Sequence, residues 1–561
     1  MKRMICGSVG AVLLASILCA QGWRGTAAEE NGSAAPTKAA CPAPAPAFAD
    51  PLSAPHWNGW GGEPSQHRFQ PADMAQLAAA DVPRLKLKWA FGIPGASRAY
   101  AQPTIMGGRI FFGSQGEKVY SLDASTGCTY WEIDAGASVR AAIVIGESET
   151  GWRAYFGDAH AYVHAVDAVT GKELWTRHID EHVAARITGA PLLAGTTLFA
   201  AVSSSEEFRA MDPHYPCCTF RGSVVALDAA TGKVLWKSYT IAQEPKPRAK
   251  SSAGVQLSGP SGAAIWSAPT YDAVKSMIYV ATGDNYSDPP TATSDAVLAF
   301  NAASGELVWS RQMTAGDAYN MACSAKAANC PQSKGPDLDF GSSAILADLA
   351  DGKRVLLAAQ KSGVVTALDP DRGGEIVWQK RIGRGGALGG VMWGPATDSG
   401  KIYVAVSDVK IRPVAPGTPG SQPSLADPQI AFLLDNATGG GLHALKLDTG
   451  EEVWATPHPG CHDVAGCSPA QSAAVTAIPG IVFSGGLDGH LRAYSAEDGR
   501  IIWDADTKGE HPAVNGVTAH GGSIDGPGPV VVGGVLYVNS GSAFYGTIPG
   551  DALLAYSVDG R

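Results

Sequence analysis

The sequence has few charged residues and no excess of positive charge. Asp, Glu, Lys and Arg together make up 17% of its 561 residues, and the formal net charge is −10. Because a phosphate backbone is bound by a basic surface, we expect no nucleic-acid partner. Hydrophobic residues make up 45% of the chain, which is enough for a large folded core and excludes wholesale disorder.

Two further features are missing from the chain. No Cys-x-x-Cys-His motif occurs, so the protein should carry no covalent c-type haem. After residue 28, no apolar run is long enough to span a membrane. The first 28 residues have an early basic pair, an apolar run over residues 5–20 and small residues at Ala27 and Ala28, which is typical of an export signal. We predict a signal peptide at residues 1–28, cleaved after Ala20 or Ala28, and a periplasmic or secreted protein.

Glycine and tryptophan are abundant, with 68 and 14 residues. Many glycines and few long charged side chains suit an all-β protein with tight turns. One pattern, as in VYSLDASTGCTYW, recurs seven times: a strand, a turn that closes on Gly, and a strand that carries Trp four residues after the Gly. The seven pairs are Gly127 and Trp131, Gly171 and Trp175, Gly232 and Trp236, Gly305 and Trp309, Gly374 and Trp378, Gly450 and Trp454, and Gly499 and Trp503.

Each copy has the properties of a β-hairpin. The residue before the turn is acidic or polar, and where it is Asp it accepts backbone N–H bonds. The Gly takes the positive φ, and alternation places the Trp on a buried face. The copies lie about 45 to 75 residues apart, which leaves room for four short strands in each unit, as in a propeller blade.

An eighth unit is divided between the two ends of the chain. The C-terminal LLAYSVDG stops where its turn should begin, whereas LKLKWAF near the N-terminus carries Trp89 without a preceding half. Pairing the two halves would close the ring and remove two exposed strand edges. We therefore predict an all-β, eight-bladed β-propeller over residues 56–561 whose last blade is built from both termini. Residues 29–55, rich in Ala and Pro, should form an extended tail or linker.

Eight cysteines remain after the signal peptide, an even number that predicts disulfides in an oxidising compartment. Three pairs are close in sequence: Cys217 with Cys218, Cys323 with Cys330, and Cys461 with Cys467. Cys41 and Cys128 are left, and a bond between them would join the N-terminal tail to the first blade. The sequence alone does not fix this connectivity.

The segments between the repeats include HWNGWGGEPSQHRFQ, ARITGAP, CCTFRGSVVALD, QKSGVV and NGVTAHGGSIDGPGPVVVGG. These segments resemble those of polyvinyl alcohol dehydrogenase, a quinoprotein family that binds pyrroloquinoline quinone (PQQ), and the resemblance runs from about Trp57 to the C-terminus. It implies an enzyme that uses PQQ and calcium to oxidise alcohol groups. Members often carry an N-terminal cytochrome c domain. Here a Pro-rich tail stands in its place, so electrons should pass to an external cytochrome c.

The resemblance also implies how PQQ is held. Cys217 and Cys218, bridged to each other, would form a ring against one face of the cofactor. Trp266, in AAIWSAP, would form the opposite face. The alternatives are two cysteines with different partners and one more core tryptophan.

Three polar residues match positions that contact the cofactor in quinoproteins. Arg140, in ASVRAAI, suits a carboxylate because its guanidinium binds in a bidentate manner, and Lys361, in QKSG, can lie beside quinone oxygens. Thr188, in ITGAP, is a further hydrogen-bonding candidate. The alternative for Arg140 and for Lys361 is a surface role.

Calcium prefers oxygen ligands from carboxylates and amides. Alignment from ARITGAP along the next strand places Glu206 on the family's metal-binding Glu, with Glu207 as the alternate if the loop shifts by one residue. The second ligand should come from TGDNYSDP, where Asp284 takes the matching position and Asn285 follows. The resemblance leads us to expect Asn first, so Asp284 would add negative charge. Solvated acids in a turn are the alternative.

The proton acceptor departs from the family's pattern. Quinoprotein alcohol dehydrogenases use an Asp to take the hydroxyl proton, but Asn320 occupies the matching position in TAGDAYNMAC. Since Asn cannot accept a proton at neutral pH, we predict Asp317, three residues earlier, as the catalytic base. Another acid, or a protein without catalysis, is the alternative.

Together these residues predict a PQQ-dependent dehydrogenase of secondary alcohol groups, in polyvinyl alcohol or in a smaller alcohol. A polymer requires an open cleft, whose walls the loops over residues 412–441 and 317–339 would form. Two other functions fit the repeats: a non-catalytic propeller that binds or assembles other proteins, and a quinoprotein sugar dehydrogenase. The first does not explain why so many matching residues coexist on these loops.

Overall fold

The structure is a computed structural model that describes residues 39–561 except 44–45, 47, 49, 419–420, 424–430, 462–465 and 544–545. The predicted signal peptide, residues 1–28, and the first part of the predicted tail lie outside the described residues. Within the described ranges, no helix has the length and apolarity needed to cross a bilayer.

Eight four-stranded antiparallel sheets, numbered as blades in chain order, make up the β-propeller. The strands of blades 1 and 2 are Thr104–Met106, Arg109–Gly113, Lys118–Asp123, Thr129–Asp134, and then Val144–Ser148, Gly151–Gly157, Tyr162–Asp167, Glu173–His178. Those of blades 3 and 4 are Leu192–Ala194, Thr197–Ser204, Ser223–Asp228, Val234–Tyr239, and then Thr270–Asp272, Met277–Ala281, Ala296–Asn301, Leu307–Gln312.

The second half of the ring has the same design. The strands of blades 5 and 6 are Ile345–Asp348, Arg354–Ala359, Val364–Asp369, Glu375–Arg381, and then Ala396–Thr397, Lys401–Ala405, Leu442–Lys446, Glu452–Thr456. Those of blades 7 and 8 are Thr476–Ile478, Ile481–Gly485, His490–Ser495, Ile501–Asp506, and then Val530–Val532, Val535–Ser540, Ala552–Val558, Leu85–Gly92. The N-terminal strand Leu85–Gly92 pairs with the C-terminal strand Ala552–Val558, which confirms the predicted closure by both termini.

Short elements decorate the blades. The helical turns are Ala72–Ala75, Ala79–Arg84, Glu206–Arg209, Met321–Ser324 and Pro370–Arg372. The additional strands are Ala185–Arg186, Lys246–Lys250, Gln256–Gly259, Ser261–Gly262, Asn285–Ser287, Ile411–Val414, Gln422–Pro423, Ala431–Leu434, Gly509–His511 and Ala519–Gly521.

The repeated Gly and Trp join neighbouring blades. The Trp131 ring of blade 1 lies against Gly171 of blade 2, where an added Cβ would be 2.8 Å from the ring and φ is +73°. The Trp131 indole N–H donates to the carbonyl of Ala168 in the same turn of blade 2. Around the ring the contact repeats, and Trp89 of blade 8 packs on Gly127 of blade 1. The Gly thus has two roles: it adopts the positive φ of its turn, and it leaves space for the indole of the preceding blade.

This packing predicts an unequal cost for two glycine substitutions in blade 3. Gly232→Ala should lower the free energy of unfolding by about 2–4 kcal/mol, because it combines a strained positive φ with a clash. The added Cβ would lie 2.5 Å from the Trp175 ring. At Gly195, φ is +59° and no described residue beyond its chain neighbours has an atom within 4 Å of the added Cβ. Gly195→Ala should therefore cost only about 1 kcal/mol from backbone strain. Thermal melting of both variants measures the difference, and equal losses would contradict the inter-blade role.

All eight cysteines of the predicted mature chain are paired. The three local disulfides are present as predicted, and Cys41 bonds Cys128. The backbone of Cys41 also hydrogen-bonds Thr129, and Phe48 packs edge-on against Phe111. The described part of the predicted tail is therefore anchored on blade 1.

Candidate functional site

The topology gathers the predicted site residues at one end of the propeller. Because consecutive strands are antiparallel, the loop between the second and third strands of a blade and the connection to the next blade emerge at the same end. The connections between blades carry Arg140, Thr188, Trp266 and Asp317, and the loops between second and third strands carry Glu206, Cys217, Cys218, Asp284, Asn285 and Lys361.

A cavity at this end is lined by aromatic, cationic and small side chains. Its larger lining residues are Trp60, Tyr100, Arg140, Thr188, Trp266 and Trp393. The rings of Trp266 and Trp393 meet edge to face at 5.3 Å, and the Arg140 guanidinium lies 4.4 Å from the Trp393 ring centroid. The Thr188 hydroxyl donates to the Trp266 carbonyl at 3.3 Å.

Arg140 keeps an unused donor in this cavity. Its Nη2 atom is buried and has no hydrogen-bond partner among the described residues. Burial lowers the pKa of Arg140 to about 10, although the nearby Asp525 carboxylate acts in the opposite direction. A buried guanidinium with a free N–H is suited to a carboxylate ligand.

Next to Trp266, three buried carboxylates lie close together, and two of them bind one lysine. Asp284, Asp337 and Asp339 each offer an oxygen within 4.8 Å of the others. The Lys361 ammonium donates to Asp337 at 2.7 Å and to Asp339 at 2.8 Å. The same ammonium lies 5.5 Å from the Trp266 ring centroid, so the carboxylate cluster and the aromatic cavity adjoin.

The cluster holds more negative charge than Lys361 can neutralise. The Oδ2 atom of Asp284 is buried without a partner among the described residues, and burial together with Asp339 and Asp337 raises its pKa well above the usual range. Burial and the charge of Asp339 also raise the pKa of Glu207 to about 7. Oxygen donors with excess negative charge fit a divalent cation such as Ca²⁺.

The two adjacent glutamates have different surroundings. The Glu206 carboxylate accepts the backbone N–H groups of Thr219 and Phe220 at 2.9 and 2.8 Å and the Tyr215 hydroxyl at 3.0 Å. It thereby fixes the loop that carries Cys217 and Cys218. The Glu207 carboxylate instead interacts electrostatically with the carboxylate cluster.

Asn285 is also held by its own loop. Its side-chain amide donates to the carbonyl of Ser261 at 3.0 Å, and its oxygen accepts the N–H of Thr291 at 2.7 Å. Its neighbour Asp284 is therefore the residue of this pair that belongs to the carboxylate cluster.

Asp317 and Asn320 both serve the loop in which they lie. The Asp317 carboxylate accepts the N–H groups of Asp337 and Leu338 at 3.2 and 2.9 Å, and burial raises its pKa despite these bonds. Asn320 caps the helical turn Met321–Ser324 through the Ala322 N–H. Its amide donates to the Tyr286 carbonyl.

The Cys217–Cys218 disulfide lies in the buried core of blade 3. Both residues are in the apolar cluster that contains Phe220, Tyr286 and Ala322, and neither is among the residues that line the aromatic cavity. The cavity brings together Arg140, Thr188 and Trp266, whereas the disulfide packs with Tyr286 in the apolar cluster.

Six site residues escaped the prediction from sequence: Trp60, Tyr100, Asp337, Asp339, Trp393 and Asp525. The Asp525 carboxylate accepts the Trp393 indole N–H at 2.8 Å. The alternating acids of GPDLDFG were the available signal for the two aspartates, because they precede the first strand of blade 5 at the end where the other candidates meet. Trp393, like Trp266, belongs to none of the seven repeated hairpins, and this was the available signal for a role outside the blade core.

Comparisons with known proteins show which families the propeller is similar to. The family model described as "Glucose/ethanol/alcohol dehydrogenase, beta-propeller domain" matches residues 57–377. A model described as "Outer membrane protein assembly factor BamB" matches residues 438–561, the later blades. Among solved structures, quinohemoprotein alcohol dehydrogenase from Comamonas testosteroni is 20% identical with a TM-score of 0.66, and the match covers 91% of this chain and 82% of that one. This last likeness shows the fold.

Two curated relatives are much more similar in sequence. A polyvinylalcohol dehydrogenase from a Pseudomonas species is 42% identical over 527 residues, which are 91% of this chain and 78% of the relative. Another, from Sphingopyxis sp. strain 113P3, is 40% identical over 541 residues, with 92% and 78% covered. Since both relatives span most of the chain and the propeller model matches more than half of it, this protein belongs to the family of PQQ-dependent alcohol dehydrogenases.

Proposed function

We propose that this protein is a periplasmic dehydrogenase that oxidises secondary alcohol groups, such as those of polyvinyl alcohol, with PQQ and Ca²⁺, and that it passes the electrons to an external cytochrome c. The observation that carries the proposal is the buried carboxylate cluster of Asp284, Asp337 and Asp339 beside Lys361 and Trp266. Relatives named polyvinylalcohol dehydrogenase support the substrate class.

For the cofactor, we propose that Trp266 supplies a flat surface and that the free Nη2 of Arg140 binds a carboxylate of PQQ. Thr188 would add a hydrogen bond, and Lys361 would face the quinone. The Cys217–Cys218 ring remains our candidate for the opposite face. When bound, PQQ accepts the electrons removed from the alcohol and a neighbouring cation polarises its carbonyl.

For the metal, we propose Asp284 as the central ligand, because its buried oxygen has no other partner. Glu207 is favoured over Glu206, since Glu206 is occupied by the loop it fixes. Asn285 is held by Ser261 and Thr291, so we expect it to orient Asp284 through the backbone.

For the proton, Asp317 remains the proposed acceptor, and Asp337 competes with it. Asp317 already accepts two backbone N–H groups, which stabilise its charged form. Asp337 uses only Oδ1 for Lys361, and its Oδ2 has no hydrogen-bond partner among the residues that the structure describes. Either carboxylate would take the hydroxyl proton from an alcohol in the cavity.

Two loops support a polymeric substrate and one feature supports export. Strands Ile411–Val414, Gln422–Pro423 and Ala431–Leu434 form a small sheet inserted into blade 6 at the end that carries the site, and the loop over residues 317–339 lies at the same end. Residues 419–420 and 424–430 of the first loop lie outside the described ranges. Four disulfides favour an oxidising compartment such as the periplasm.

Reconstitution tests this proposal. We expect the metal-free apoprotein to reduce an artificial dye only when PQQ, Ca²⁺ and a secondary alcohol are all present, with polyvinyl alcohol among the active substrates. Omission of Ca²⁺ should abolish most of the dye reduction, since the carboxylates of the cluster then repel one another. Turnover of sugars but not of alcohols would overturn the substrate assignment, and a failure to bind PQQ would overturn the enzymatic proposal.

A further inference from the structure

A basic hairpin projects from the end of the propeller that carries the site. Strands Lys246–Lys250 and Gln256–Gly259 pair with each other and with no blade strand that the structure describes. All five residues of the first strand are exposed, among them Lys246, Arg248 and Lys250. The connection from blade 3 to blade 4 carries this hairpin, so it emerges at the same end as Trp266.

The cations of the hairpin are not neutralised locally. Within the described ranges, none of Lys246, Arg248 and Lys250 forms an ion pair. Glu244 is the one acid in residues 242–256. Exposed Arg209, at the end of the helical turn Glu206–Arg209, adds a cation in the neighbouring loop. On a chain of net charge −10, this is a local region of opposite sign.

The base of the hairpin is attached to the proposed cofactor site. The backbone N–H of Ser258 donates to the Cys217 carbonyl at 2.8 Å, and the Cys218 N–H donates to the Ser258 carbonyl at 3.4 Å. Leu257 packs on the apolar cluster that contains both cysteines. Beyond Gly259 the chain passes through Ser261–Gly262, which pairs with Asn285–Ser287, and then reaches Trp266 in the cavity wall.

We propose that this hairpin is the docking surface for the electron acceptor, and that the acceptor is a redox protein with an acidic face around its redox centre. The inference rests on the proposed function, because it concerns the route by which electrons leave PQQ. Unpaired cations attract an acidic partner over about a Debye length and raise its association rate. Their position beside the Cys217–Cys218 loop would bring that partner close to the cofactor.

Charge reversal tests the proposal. The variant carries Lys246→Glu, Arg248→Glu and Lys250→Glu. We load the variant with PQQ and Ca²⁺ and measure its reduction of an acidic c-type cytochrome at low ionic strength. Its kcat/KM should be about tenfold or more below that of the parent, because the electrostatic attraction that guides the cytochrome to the hairpin is lost. The difference in kcat/KM between the variant and the parent should decrease as salt is added. Reduction of a small neutral dye should not change, since a dye needs no protein docking.

A matched variant controls for net charge. Lys172→Glu, Lys233→Glu and Arg500→Glu change the charge equally, but these residues lie in turns between third and fourth strands, at the opposite end of the propeller. This variant should reduce the cytochrome as the parent does.

Three results would overturn the docking proposal. The first is that the parent and the hairpin variant reduce the cytochrome equally well. The second is that the parent reduces the cytochrome equally well before and after the carboxylates of the cytochrome are amidated. The third is that the hairpin binds anionic vesicles but has no effect on cytochrome reduction. A lack of dye reduction with every alcohol would instead refute the proposed function.

Discussion

Asp284→Ala should weaken Ca²⁺ binding by about 100-fold or more and remove most alcohol-dependent dye reduction, because it removes the carboxylate that we propose as the central ligand. The Asp284 carboxylate is the member of the cluster with a buried oxygen that no described residue satisfies. Asp284→Asn should retain part of the affinity, since an amide oxygen can still coordinate calcium. Calorimetric titration of the metal-free protein with Ca²⁺ measures both effects.

A stability measurement separates metal binding from catalysis. Asp284→Asn should raise the melting temperature of the metal-free protein, because it removes one of several like charges that are buried together. It should also reduce the rise in melting temperature that Ca²⁺ produces, since that rise depends on affinity for the folded state. The two opposite changes in one variant would be difficult to obtain from a merely structural defect.

Asp295→Asn is the matched control for this experiment. Asp295 is buried and both of its carboxylate oxygens lack partners among the described residues, but it is not one of the three acids whose oxygens converge. Its substitution should leave the calcium affinity within a few-fold of the parent. Unchanged calcium affinity in Asp284→Ala would show that the carboxylate cluster is not the metal site.

The fold was predictable because its signals are local and repeated. The Gly and the Trp four residues later lie in one hairpin, and each is constrained only by that hairpin and by a neighbouring blade. The contact between Trp131 of blade 1 and Gly171 of blade 2 illustrates this. Ring closure followed from two half-units that each lacked what the other supplied. Neither inference required knowledge of how distant loops fold.

The site was only partly predictable because loops have no period. Trp266 and Arg140 could be identified as candidates by residue type and matching segment, and the structure places both in one cavity. Glu206 and Glu207 lie in a single helical turn, where adjacent side chains point about 100° apart, so the sequence could not decide which one faces the cluster. Asp337 has a positive φ of 60° in a loop that contains the Cys323–Cys330 disulfide, and no pattern predicts its direction.

Arg492→Met should lower the free energy of unfolding by about 3–5 kcal/mol, because it leaves a buried carboxylate without its main partner. The Arg492 guanidinium donates to Asp488 at 2.6 Å and to Asp504 at 2.9 Å. Arg492 and Asp488 are 4% and 5% exposed, so water cannot replace the lost bond. Arg372→Met, which breaks a pair whose Arg is 64% exposed, should cost no more than about 1 kcal/mol.

The same network predicts a loss of stability in acid. Burial opposes ionisation of Asp488, but hydrogen bonds from His458 and Arg492 and the charge of Arg492 outweigh it and lower its pKa. A carboxyl group with a lowered pKa binds fewer protons in the folded state than in the unfolded state, so its contribution is complete above the unfolded pKa of about 4 and is lost as the pH falls below it. Thermal melting from neutral to acidic pH should therefore show a shallower decline for Asp488→Asn than for the parent. Parallel curves would mean that this buried network does not set the acid limit of the propeller.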